Sequence, residues 1–154
     1  MLRYQGITET LEGSGLEILA VQNADWSNDT AYTVVTDWLT TYGDFDFIIS
    51  ENDNMALGAI EAIQAAGKNP ADFCIVGIDG LYNGVAAVAN GTMSASARQD
   101  TMVYAEDMLQ MAIDIATGAR PYKTVDYKDY APEMITIDNA QEFIDYYTEK
   151  GLDQ

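Results

Sequence analysis

Two hydrophobic periods take turns along the chain, one helical and one extended. Residues 1–14 place Leu2, Ile7 and Leu11 on roughly one side of a helix, and "LEILAV" (16–21) then reads as a strand. Residues 29–42 return to helical spacing, with Tyr32, Val35, Trp38 and Leu39 on one face, before the strand "DFDFIIS" (44–50). Residues 53–66 make the clearest helix: Ala56, Ile60 and Ile63 share a face, and Gly67 is a good stop. "DFCIVGI" (72–78) is nearly all apolar, the composition of a parallel strand covered on both faces. A short helix over 81–89 ends at Asn90-Gly91, and "TMSASA" (92–97) is a weaker strand. The pattern next predicts a long helix over 101–117, with Met102, Ala105, Leu109, Ala112 and Ala116 in one stripe and Gly118 after it. A strand "EMITI" (133–137) and a helix over 140–149 close the chain. Between them, 119–132 has no clear period and is expected to cross a surface.

Strands alternating with helices at this spacing imply right-handed crossovers. The expected fold is therefore α/β: a parallel Rossmann-like sheet in a three-layer αβα sandwich. The chain's 154 residues are enough for one substantial core. Its opening, "MLRYQGITETLEGSG", lacks the charged start and apolar stretch of a signal peptide and reads as helix interior, so the sequence is expected to be a fragment.

Charge narrows the function. Twenty-five acidic residues against seven basic give a net −18, which repels nucleic acid and anionic lipid because no basic stripe can neutralise phosphates. With no histidine, imidazole catalysis and histidine-ligated metals are excluded, and so is a Ser-His-Asp triad. The single Cys74 lies within an apolar run and is expected to behave as a small hydrophobe. Phosphate-binding glycine loops and the nucleophile elbow are absent from the sequence. "NADWSND" alternates oxygen donors but lacks the Gly and terminal Glu of a calcium loop. No cofactor, no metal and no enzymatic activity are expected.

In such sheets ligands bind beyond the carboxyl ends of the strands. There the sequence delivers Asp25 and Trp26 after 16–21, Glu51-Asn52-Asp53 after 44–50, Asp79-Gly80 after 72–78, and Arg98-Gln99-Asp100 after 92–97. Each has an ordinary explanation as well. Asp53 or Asn52 can cap helix 53–66, Asp79-Gly80 can be a turn, Asp100 can start helix 101–117, and Trp26 can be core. Together, planar polar groups around an aromatic face suit a sugar, whose hydroxyls both donate and accept while its apolar face stacks on a ring.

"SENDNMALGAIEAIQAAG", then "IVGIDG", then "ANGTMSASARQD" resembles the C-terminal half of periplasmic sugar-binding proteins of the ribose/galactose type, the solute receptors of ABC transporters. The resemblance implies two Rossmann-like lobes that close on a monosaccharide or similar polyol, extracytoplasmic and either periplasmic or lipid-anchored, and serving a membrane permease. It assigns Asn52, Asp79 and Gln99 to the sugar, with Arg3 of "RYQGI" as a donor and Trp26 as the stacking aromatic. Ile7 stands where the family's arginine motif usually has Phe. Residues 1–99 would then be the C-terminal ligand-binding lobe without its first strand. Residues 100–154 would hold the hinge crossing, a helix normally belonging to the absent N-terminal lobe, and a final strand and helix. That orphaned 101–117 helix is expected to pack back on its own domain or to join two copies into a homo-oligomer. The effector-binding core of a lactose-repressor-type regulator shares the fold, but its motifs more often read S-D-x-x-A and G-F-D-D. Within Glu51-Asn52-Asp53, Asp53 is read mostly as the helix cap and Asn52 as the ligand contact.

Overall fold

In the computed structural model, residues 2–121 and 131–153 are described; most of the unpatterned segment 119–132 lies outside them. The helices are α1 (Leu2–Leu11), α2 (Asn28–Tyr42), α3 (Asp53–Ala65), α4 (Tyr82–Ala89), α5 (Thr101–Thr117) and α6 (Ala140–Glu149). The strands are β1 (Phe47–Ile49), β2 (Cys74–Asp79), β3 (Ala95–Arg98) and β4 (Glu133–Thr136), in the order β1-β2-β3-β4. The first three pair in parallel, as the alternation predicts, whereas β4 runs antiparallel to β3. The fold class is α/β, but its sheet is mixed. The antiparallel register sets Arg98 opposite Glu133, so β4 starts at the edge where β1, β2 and β3 end.

The core lies where the helical stripes meet the sheet. Ile48 and Ile75 from the strands pack with Ala56, Ile60 and Ile63 of α3, Val85 and Val88 of α4, and Phe143 of α6. Gly58 lets α2 and α3 cross closely, since a side chain there would strike the backbone carbonyl of Asn28. Helix ends follow local chemistry. Ser27 caps α2 through Thr30 N–H, Asp100 caps α5 through the N–H groups of Met102 and Val103, and left-handed Gly118 ends α5.

Two expectations of this reading fail. Segment 16–21 forms no strand: Leu16, Ile18, Leu19 and Val21 are exposed, and among the described residues β1 pairs with β2 alone. Strand-like composition is not enough without a neighbour to complete the ladder. Cys74, the first residue of β2, is exposed rather than core, because inward positions alternate and Ile75 takes the first of them. Of the two fates expected for α5, packing back on its own domain is not seen: it contributes no buried residue and leaves Met102, Val103, Met108, Leu109 and Ile113 exposed.

Candidate functional site

Arg3 links the polar strand ends that the sequence singles out. From α1 its Nη1 donates to the carbonyl of Glu51, just beyond β1, while its Nη2 lies 3.7 Å from Asp79 Oδ1 at the end of β2. The same guanidinium stands 5.5 Å from the centre of the Trp26 ring, within cation–π range. From beyond β3, Gln99 Nε2 donates to the same Asp79 Oδ1 at 3.3 Å. Arg3, Trp26, Asp79 and Gln99 thus form one connected cluster, assembled from four separate stretches of chain.

Trp26 is presented and not buried. Asn54 Nδ2 donates to its carbonyl at 3.0 Å, and it follows Asp25 in a turn where both adopt positive φ (49° and 60°). The residue is 55% exposed, which discards the core reading. Asp79 also has positive φ, at 116°, a conformation a non-glycine residue keeps only when its surroundings hold it. Burial raises its carboxyl above the ordinary value, and the charge of Arg3 partly offsets that rise. Both partners of the Arg3–Asp79 pair are about one-third exposed, so the pair adds little stability and a ligand can compete for either group.

The roles of Asn52 and Asp53 are the reverse of the helix-cap reading. Asn52 is the N-cap of α3, its Oδ1 accepting from Met55 N–H at 2.8 Å. Asp53 is fully buried and points at the neighbouring elements. Ser96 Oγ donates to its Oδ1 at 2.6 Å, and the N–H of Leu81 donates to its Oδ2 at 2.7 Å. Desolvation outweighs these bonds and pushes its pKa up to about 6.

Sequence reasoning missed a second cluster. Arg98 is buried on β3, 5.4 Å from the ring of Phe143 and 5.3 Å from that of Tyr146. It donates from Nε to Tyr147 Oη and from Nη1 to Glu133, and pairs with Asp100 through Nη2. Burial works to lower its pKa, but Tyr147, Asp100 and Glu133 prevail and hold it above the ordinary value. Beside it is an open recess of about 240 Å³ lined by Arg98, Asp100, Glu133, Glu142, Phe143 and Tyr146. It is a different place from the Arg3–Asp79 cluster. The sequence signal for these partners was the Tyr pair of α6, Tyr146 and Tyr147.

The polar, aromatic-flanked cluster lies at the carboxyl ends of the parallel strands β1, β2 and β3. Residues 1–120 match the family described as periplasmic binding protein domain, and the chain belongs to it. It is 33% identical over 138 residues to a protein of Rhizobium meliloti described as rhizopine-binding, covering 89% of this chain and 43% of that one. It is 36% identical over 97 residues to a ribose import binding protein of Salmonella typhimurium, covering 63% and 32% respectively. A Caulobacter myo-inositol binding protein, solved with myo-inositol, superposes with a TM-score of 0.82 at 31% identity, over 94% of this chain and 50% of that one. The chain therefore spans less than half the length of these curated relatives and about half of the solved chain. Among the described residues no helix is long and apolar enough to cross a membrane.

Proposed function

We propose that this chain carries about half of the ligand site of an extracytoplasmic sugar- or polyol-binding component of an ABC transporter, and that it is not an enzyme. The observation that supports this most is the convergence of Arg3, Trp26 and Gln99 on Asp79. Asp79 accepts from ligand hydroxyls, Arg3, Gln99 and the Asn52 Nδ2 donate to hydroxyl or ring oxygens, and the exposed face of Trp26 stacks on the ring carbons. The second lobe supplies the other half, and closure on the ligand is what a membrane permease recognises. Residues 1–99 act as the ligand lobe and 100–154 as hinge crossing and return. The exposed apolar face of α5 is covered by the second lobe in the complete protein and by a second copy when this chain stands alone.

A thermal-shift screen of the full-length protein against pentoses, hexoses and inositols tests the reading, repeated with Asn52→Ala and Asp79→Ala. The expected result is a stabilising sugar whose effect is lost in Asp79→Ala. A sugar that raises Tm equally in wild type and both variants would refute the site.

A further inference from the structure

The carboxylate of Asp53 sits in a socket built for it. Gly77 of β2 and Gly84 of α4 both abut it. A Cβ on Gly77 would overlap Oδ1, and one on Gly84 would lie 2.5 Å from Oδ2. Two elements thus give up a side chain at one point, and the space is filled by a charge rather than a methyl. Its two oxygens are used differently. Oδ2 takes the N–H of Leu81 directly, while Oδ1 takes the hydroxyl proton of Ser96. Ser96 Oγ then accepts from the N–H of Gly80 at 3.2 Å. The two amides that follow Asp79 are therefore both tied to Asp53, one directly and one through Ser96. They belong to the turn in which Asp79 and Gly80 hold φ of 116° and 70°.

From this geometry we infer that Asp53 is a positioning residue, holding the Asp79-Gly80-Leu81 turn so that the Asp79 carboxylate faces the ligand; the ligand part of the inference rests on the sugar-site reading above. An ionised carboxylate accepts at both oxygens with no proton of its own to place. Once protonated, Asp53 must itself donate, so that either the Ser96 hydroxyl proton is turned away from Oδ1 or the new proton opposes the N–H of Leu81. Its pKa of about 6 puts that change within reach of mild acid. Among the described residues, Asp79 is the one charge whose field shifts it. Asp79 at the end of β2 raises its pKa, β3 and α4 offer Ser96 and Gly84, and Arg98, two residues along β3, is engaged by Glu133 and Asp100.

The test follows the Leu81 amide proton and the Asp79 carboxyl carbon by NMR from about pH 4.5 to 8 in the full-length protein. Wild type, Asp53→Asn and Ser96→Ala are compared, with D-ribose and myo-inositol as probes. In wild type both signals should inflect near pH 6, and Asp53→Asn should remove that inflection. Ser96→Ala, which deletes a donor to the carboxylate, should move it to higher pH. Probe affinity should fall about tenfold in Asp53→Asn. An inflection unchanged by either substitution overturns the inference, as does a probe held equally tightly by wild type and Asp53→Asn. If neither probe binds while the inflection follows Asp53, the sugar reading falls and the hold on the Asp79 turn stands.

Discussion

The hydroxyl of Tyr147 donates to the carbonyl of Gly80 at 2.6 Å, across 67 residues of sequence. The last helix thereby reaches the turn that carries Asp79, and the same oxygen accepts from Arg98. Substituting Tyr147→Phe keeps the ring packing but leaves that carbonyl and the Arg98 Nε without their partner. The expected loss is about 1–2 kcal/mol, seen as a lower urea midpoint with an unchanged slope. An unaltered midpoint would mean that the bond is replaced by water at no cost.

Asn52 separates capping from recognition. Asn52→Ala removes the Oδ1 acceptor from Met55 and should cost about 1 kcal/mol. Asn52→Asp keeps an acceptor at the helix start, where negative charge is favourable, so it should fold more stably than the alanine variant. It has no amide donor, however, and should lose ligand-induced stabilisation. Full retention of the ligand shift in Asn52→Asp would make the residue a cap and nothing more.

Asp53 gives stability a definite pH slope. Its pKa is raised from 3.8 to about 6 in the folded state, so between those values the folded chain binds more protons than the unfolded one. Its favourable contribution is full below the lower value and is lost as pH rises through the upper. The stability of wild type relative to Asp53→Asn should therefore grow as pH falls from about 7 to 4, by about 3 kcal/mol over the full swing. Urea melts of both proteins across that range measure it, and a constant difference would refute the shift.

Arg3 should be visible through Asp79. The guanidinium works against burial and lowers the Asp79 pKa, so Arg3→Gln should move the carboxyl titration to higher pH. Carbon NMR of the side chain measures this directly. A titration that stays in place would show that water screens the 3.7 Å pair completely.

What was legible in the sequence is what depends on local period. The helices over 101–117 and 140–149 have the observed bounds, and the core face of α3 is the one its spacing predicts. The rule that strand ends face the ligand singled out Trp26, Asn52, Asp79 and Gln99, the family resemblance added Arg3, and all but Asn52 meet in one cluster. What the sequence hid is pairing. Nothing local distinguishes Asn52 from Asp53 as the cap, since both types cap well; the choice follows from the buried Ser96 and the bare glycines on other elements. Likewise "LEILAV" has strand composition, but strand formation depends on what lies alongside. Arg98 looked like one more polar residue at a strand end, and only the fold brings it against the aromatic rings of α6.

The unladdered stretch 16–21 and the one-sided β1 bear on how this chain behaves in the tube. An open strand edge beside exposed Leu16, Ile18, Leu19 and Val21 invites another chain to add a strand, the first step towards cross-β aggregates. The net charge of −18 opposes that step, because approaching copies repel. Near 1 M salt, where charges are screened beyond about 3 Å, the repulsion is gone and the edge is unguarded. The acidic surface is therefore a colloidal safeguard for this chain, and dilute, low-salt, neutral buffer is where it should remain in solution.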